Sequence, residues 1–318
     1  MKIRENLKPF ANKIIPVLDK IILPGFDGIP LYKILVFFVK NLKQGALTVR
    51  ASSIAFNIFL AIFPMLIFFF SLIAYIPIEN FHSELLRMLS GIMPEYAFQT
   101  IHDTIVDTIS NKRTGLLSIG FIMTLYFAAN GVNSMISAFN ASQYVKETRS
   151  WLQKRYIAAF IVVAESILLT LAIGLIIFSQ KFINMLLEMG ILEINIGYYL
   201  IIAGKWIISI ALLFFAISFL YYFAPVKKKR FRFISAGSTL ATALVILTSL
   251  GFSWYVSNFA NYNKIYGSLG TLIVLLLWFY FSSLVLLIGY ELNLSIRHMK
   301  PSNNENETKQ IETVFTYE

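Results

Sequence analysis

Tyr126, Asn130, Asn133, Ser137 and Asn140 recur at intervals of four, three, four and three residues inside an otherwise apolar run. At 3.6 residues per turn this spacing gathers them on one face of a helix. Hydroxyl and amide groups aligned in this way can hydrogen-bond a neighbouring helix or a polar ligand crossing an apolar medium. Two more stripes share this character. Arg50, Ser53 and Asn57 fall in one sector with Ala61 and Pro64, and Ser71 extends it; Thr271, Trp278, Ser282, Gly289 and Asn293 fall in another. These faces read either as helix-packing seams or as the lining of a polar path for a substrate.

Ionisable side chains in such runs are expensive, and by default they mark sites. Glu165 lies about ten residues beyond Arg155, so roughly 15 Å into its run and near a bilayer midplane. It is a candidate proton or substrate site. Lys205 falls near the opposite boundary, where its stem can snorkel outward, and a pair with Glu165 would need a large tilt. Arg50 and Glu291 stand at the same edge of two different runs and are placed to pair. His82, Glu84, His102, Asp103 and Asp107 crowd one segment, but their spacing matches no ligand motif, so no metal is expected. The chain has no cysteine, which excludes disulfides and thiolate chemistry. It also carries no phosphate-binding loop, nucleophile elbow or dinucleotide fingerprint. Neither a cofactor nor an enzymatic activity is expected.

The elements that must position these residues are helices in lipid. Of 318 residues, 57% are hydrophobic and 14% charged, more apolar surface than one soluble core can hide. Six runs, at about 52–77, 116–138, 156–178, 200–224, 234–256 and 268–290, are each long enough to cross a hydrocarbon core of about 30 Å. The expected fold is all-α: a six-helix transmembrane bundle over residues 51–296. The net charge of +10 lies in blocks between the runs. Both termini and the even-numbered loops hold 21 Lys and Arg, against five in the odd-numbered loops. The positive-inside rule then puts both termini in the cytoplasm, as an even number of spans requires. The partners implied are the bilayer and its anionic headgroups, with a lipid as a possible substrate and no nucleic acid. The run Lys227-Lys228-Lys229-Arg230 is read as such an anchor. Oligomeric state is not legible.

Around the bundle, residues 1–50 are basic and show no signal peptide. Within them Leu31, Ile34, Leu35, Phe38 and Leu42 oppose Lys33, Lys40 and Lys43, an amphipathic helix lying on headgroups or packed on the bundle. The loop 79–114 is extracytoplasmic, with an apolar stripe of Phe98, Ile101, Ile105 and Ile109. Residues 297–318 form a polar tail with the composition of a disordered segment.

Tyr255-Val256-Ser257-Asn258-Phe259, Tyr262, Tyr266-Gly267-Ser268-Leu269-Gly270 and Glu291-Leu292-Asn293 resemble the signature of the YihY/virulence factor BrkB family of bacterial inner-membrane proteins. Tyr221-Tyr222 and Pro225 extend the resemblance, as do Gly131, Ala138, Asn140, Tyr144 and Arg149 and, in the first run, Ala51, Ala55, Phe63 and Pro64. It covers about residues 40–296. Phe56-Asn57, Ser235-Ala236 before Gly237, and Glu165 depart from the pattern, so a role for Glu165 would belong to this chain rather than to the family. The resemblance implies a six-helix protein of the bacterial cytoplasmic membrane, linked by name to virulence, with a transporter or flippase-like role for a lipid or envelope component. A membrane scaffold or envelope-integrity factor is the alternative. The older family label of a tRNA-processing ribonuclease has no visible home here, since two of the three histidines, His82 and His102, fall outside the cytoplasm and only His298 remains inside.

Overall fold

The computed structural model describes residues 19, 21–22, 25–44, 46–73, 106, 114–141, 147–190, 195–226, 232–259 and 268–299. Among them every regular element is an α-helix: α1 (Leu31–Gln44), α2 (Leu47–Ile73), α3 (Thr114–Asn140), α4 (Trp151–Glu188), α5 (Ile196–Phe223), α6 (Ala236–Phe259) and α7 (Ser268–Met299). The last six are long and apolar enough to cross a membrane. The stripe expected in the loop 79–114, the pair Tyr266-Gly267, the basic run 227–230 and the tail beyond Met299 lie outside the described residues.

The helices outrun the apolar runs that announce them, and local chemistry says why. Ser150 caps α4 in a reciprocal box: its hydroxyl accepts from the Gln153 N–H, while the Gln153 side chain accepts from the Ser150 N–H. This starts α4 at Trp151, a turn before the apolar run. Asn195 caps α5 by accepting from the Gly197 N–H at 2.9 Å. At the other extreme α7 continues past residue 290, because Glu291, Asn293 and Ser295 are buried among neighbouring helices instead of meeting headgroups. With 38 residues, α4 is nearly twice as long as the roughly 20 residues a crossing needs, so it tilts or projects.

Each span packs on its neighbours in sequence, α2 on α3, α3 on α4, and so on to α6 on α7, and α7 returns to α2. The result is a closed ring. Glycines let the paired backbones approach where the ring is tightest: a Cβ on Gly120 would lie 3.2 Å from the Phe68 Cα, and one on Gly131 3.3 Å from Ile58 Cγ1. This is the small-residue packing that lipid favours, because apolar burial alone gives helices no reason to associate there.

The starts of α2, α4 and α6 meet the ends of α3, α5 and α7 at one end of the ring, the end with the basic loops. Its core is built from Ala51 and Ile54 of α2, Ile136 and Phe139 of α3, Ala158 and Ile161 of α4, Tyr221 of α5, Ala241 of α6 and Tyr290 of α7. Of its two readings, helix α1 shows the packed one. Ile34 and Phe37 are buried, and Ile34 packs with Leu292 and Ile296 of α7, while Leu35, Val36 and Val39 remain exposed on the other side. A turn at Ala46, with φ of 45°, joins α1 to α2.

Candidate functional site

The cytoplasmic end holds the densest polar chemistry among the described residues. Arg50 of α2 donates through Nη1 to Glu291 Oε1 of α7 at 2.7 Å, with side-chain exposures of 9% and 3%. The sequence placed Glu291 at the headgroups; the structure draws it into the bundle. A carboxylate at that depth is tolerable because the guanidinium neutralises it. Beside the pair, Phe139 stacks on Tyr290 with ring centroids 4.3 Å apart, and Tyr221 meets both rings edge-on. The Tyr221 hydroxyl donates to the Leu286 carbonyl, which ties α5 to α7.

A second knot fastens the loops. Asn140 Nδ2 donates to Glu147 Oε2 at 2.8 Å, and its Oδ1 accepts from the Val226 N–H at 3.4 Å. Arg149 grips Glu147 through Nε at 3.0 Å and donates through Nη2 to the Ala224 carbonyl at 2.8 Å. The end of α3 and the residues just before α4 are thereby fixed to the end of α5. Partial burial pushes the Glu147 carboxyl up, but the side-chain and backbone hydrogen bonds and the charge of Arg149, with the Asn140 amide, outweigh it and hold the group below the usual carboxylate range. A folded-state pKa below the unfolded one stabilises above the unfolded value of about 4.3 and is lost as pH falls through the folded value. The melting temperature of the wild type is therefore expected to exceed that of Glu147→Gln at neutral pH, and the gap should close on acidification below about pH 4. A gap that is constant with pH would show that the knot does not depend on the Glu147 charge.

The three polar stripes are each used in a different place. On α3, Asn130 Oδ1 accepts from Arg155 Nη1 of α4, Arg155 Nη2 donates to the Tyr126 carbonyl at 3.3 Å, and the guanidinium lies 4.2 Å from the Tyr126 ring centroid. Asn133 is half-buried and Ser137 exposed. On α7, Asn293 faces α6: its Oδ1 accepts from the Gly237 N–H at 2.7 Å and its Nδ2 donates to Ser235 Oγ at 2.8 Å. Gly289 packs on the same helix at Gly237 and Ala241, and Trp278 lies against Phe252. Ser282 is half-buried, and the Thr271 side chain lies outside the described residues. On α2, Asn57 turns back to the Ser53 carbonyl and Ser53 is exposed. The α7 stripe thus meets α6 rather than the stripes of α2 and α3. Glu291 and Asn293 are two residues apart and so about 200° apart around the helix; one faces α2 and the other α6. Pro64 sits inside α2, which runs on to Ile73.

The partners that the sequence did not single out are Arg155, Glu147, Phe139 and Tyr290. Arg155 carried a signal, as a cation four residues into a helix, and so did Glu147, as an acid among basic neighbours. The aromatic residues carried none, because aromatic side chains are common throughout these spans.

Away from the cytoplasmic end the packing opens. On α4, Ile167 is 57% and Ile176 46% exposed. Nine residues separate them, so they point in opposite directions. Tyr199 and Ile208 of α5 have the same separation and exposures of 62% and 49%. Both helices are thus exposed on two opposite sides over these stretches. A shallow apolar depression of about 490 Å³ lies on the outer part of α4, lined by Leu175, Phe178, Ser179, Lys181, Phe182 and Met185 of that one helix.

An antiparallel ring of six apolar helices, tied at its basic end by a buried ion pair, defines a multi-pass helical membrane protein. The chain belongs to the Virulence factor BrkB family, whose profile matches residues 38–312. It is 32% identical over 258 residues to the ribonuclease-like protein YfkH of Bacillus subtilis, covering 81% of this chain and 92% of that one. UPF0761 membrane proteins of Histophilus somni and Haemophilus influenzae are 24% identical, over 85% and 81% of this chain and 92% of each relative. No solved structure gives a significant match. These relatives and the six apolar spans make it a multi-pass protein of the bacterial inner membrane.

Proposed function

We propose that this protein moves a lipid or other amphipathic envelope component across the cytoplasmic membrane. In this reading the Arg50–Glu291 pair and the Phe139, Tyr221 and Tyr290 rings form a closed cytoplasmic gate. The outer halves of α4 and α5 form an entry open to lipid. The observation that carries it is the asymmetry along the ring: α4 and α5 are buried at Ala158, Ile161, Ile217 and Tyr221 and exposed on opposite faces farther out, at Ile167 and Ile176 and at Tyr199 and Ile208, before α4 is buried again at Ile183. Helices that only needed to associate would gain by packing along their whole length. A surface walled mainly by apolar side chains suits acyl chains rather than a hydrated ion.

The activity proposed is not enzymatic. The word ribonuclease in the name of YfkH is not carried over, because among the described residues no cluster of acids and histidines could hold a metal, and Glu147 is committed to Arg149 and Asn140 and Glu291 to Arg50. Metal-assisted RNA hydrolysis needs free carboxylate or imidazole ligands on that side. A scaffold is the second reading, favoured by the use of Asn130, Asn140 and Asn293 in separate helix seams. Purified protein in liposomes carrying an acyl-labelled fluorescent phospholipid separates the two. Transport predicts that a membrane-impermeant reductant bleaches more than the about one half of label expected for a sealed bilayer; bleaching equal to that of protein-free vesicles would leave the scaffold.

A further inference from the structure

Leu171, Leu175, Phe178, Phe182, Met185 and Met189 follow one another along α4 and its cap at intervals of four, three, four, three and four residues. Around the helix they fall within an arc of about 80°. All but the half-buried Leu175 are exposed, Phe178 at 71% and Phe182 at 58%. Ala158, Ile161 and Ile183 are fully buried and lie about 110° round the helix, on the side that also carries half-buried Glu165. The stripe is therefore off the face that packs on the bundle. Lipid alone does not account for it. Lys181, Asn184 and Glu188 are exposed, so beyond about residue 180 the helix has left the hydrocarbon. From there to Glu188 it runs about 12 Å, more than the headgroup layer of roughly 6 Å per side. Phe182, Met185 and Met189 carry an apolar face past that layer, of the kind that marks an interaction site.

We infer that this stripe is the seam of a parallel coiled coil joining two copies of the chain about a two-fold axis along the membrane normal. A four-three alternation of apolar residues kept through five steps is the a/d repeat by which two helices supercoil. Both copies insert with the basic end inside, so their α4 helices meet in parallel and each stripe residue meets its counterpart. In such a pair each knob enters a hole made by four residues of the facing helix. The hole for a second copy's Phe178 is Leu175, Phe178, Ser179 and Phe182; the hole for its Phe182 is Phe178, Lys181, Phe182 and Met185. Together these two holes are the six residues that line the depression on α4. A lipid surface has no such register to match. The pairing leaves Ile176, about 140° away, uncovered, and it holds whether or not the protein moves lipid.

Because the chain has no cysteine, the seam can be read by cross-linking. Phe178→Cys, Phe182→Cys, Met185→Cys, Asn184→Cys and Leu187→Cys are each introduced alone into the full chain, and disulfide-linked dimer is measured after mild oxidation in native membranes. The first three should cross-link about fivefold or more above the last two, which lie on the far side of the helix, since a disulfide forms only between close Cα atoms. No cross-linking, equal yields at all five positions, or yields highest at Asn184 or Leu187 overturn the inference. Stripe cysteines shielded from an impermeant maleimide without cross-linking would give the stripe to lipid or to another segment of the chain, which overturns it too. Association supplies a second readout, by single-molecule photobleaching in liposomes. The variant carrying Phe178→Ser and Phe182→Ser should need a protein density about tenfold or more higher than the wild type to be half dimeric, with an unchanged melting temperature because the stripe is off the bundle face. Unchanged association in that variant overturns the seam, and if the variant melts early the cross-linking pattern decides.

Discussion

Glu291→Ala is expected to destabilise the bundle by about 3–5 kcal/mol, the usual cost of leaving a buried charge without its partner. Arg50 is only 8% exposed and Glu291 2%, so neither charge can turn to water when the other is removed. The pair also spans α2 and α7, the contact that closes the ring between its first and last membrane helices. Chemical denaturation in detergent measures the loss. Arg50→Ala should cost a comparable amount, and the double variant should cost less than the sum of the two, because it leaves no orphaned charge. Additive losses would show that the two residues act independently. The gate reading adds a functional expectation that stability alone does not. The chain lacks cysteine, so a single cysteine placed at Ser137, an exposed position in the inner half of α3, reports access cleanly. Labelling of it by a water-soluble maleimide from the cytoplasmic side should rise in a Glu291→Gln background, and equal labelling in both backgrounds would argue for a static brace.

Gly237→Val is expected to be among the most disruptive substitutions at the cytoplasmic end of the ring, costing about 3 kcal/mol or more. A Cβ at position 237 would fall on the Gly289 carbonyl oxygen and the Asn293 carboxamide. Backbone cannot yield as a flexible side chain would. The same added carbon would push away Asn293, whose Oδ1 takes the Gly237 N–H and whose Nδ2 reaches Ser235. One change therefore removes both the close approach of α6 to α7 and the hydrogen bonds that lock it. At Gly289 a Cβ would lie 2.6 Å from the Ala241 Cβ and 2.7 Å from the Gly237 carbonyl oxygen, so Gly289→Val should behave alike. By contrast Gly251→Ala meets nothing within 4 Å and should be close to neutral in the same thermal unfolding series. If Gly237→Val and Gly251→Ala melted together, the α6–α7 contact would not matter to the fold.

The number of spans and their order were legible because each is a long apolar run, and lipid allows such a run only to become a helix with its backbone bonds satisfied internally. The family was legible too, in the stretches around Tyr221, Gly267 and Glu291. The pairing of Arg50 with Glu291 could be read as well, since both stand at the same edge of their runs. Helix ends were less legible: α4 and α7 extend past their apolar runs because a capping box and burial among protein, not hydropathy, decide where a helix stops.

The polar stripes mark the remaining boundary between sequence and structure. Their periodicity on α2, α3 and α7 is a property of each helix alone, and it correctly says that one face is polar. It cannot say which neighbour that face meets. That depends on the rotation of each helix in the ring, set by glycine contacts such as Gly237 on Gly289 and by aromatic packing such as Phe139 on Tyr290, between residues far apart in the chain. So the sequence by itself determined six helices, their order across the membrane and their sidedness through charge. Only the tertiary structure decided that Asn293 faces α6 and that Asn130 faces Arg155, because helix rotation is a collective outcome of packing that no single periodicity encodes.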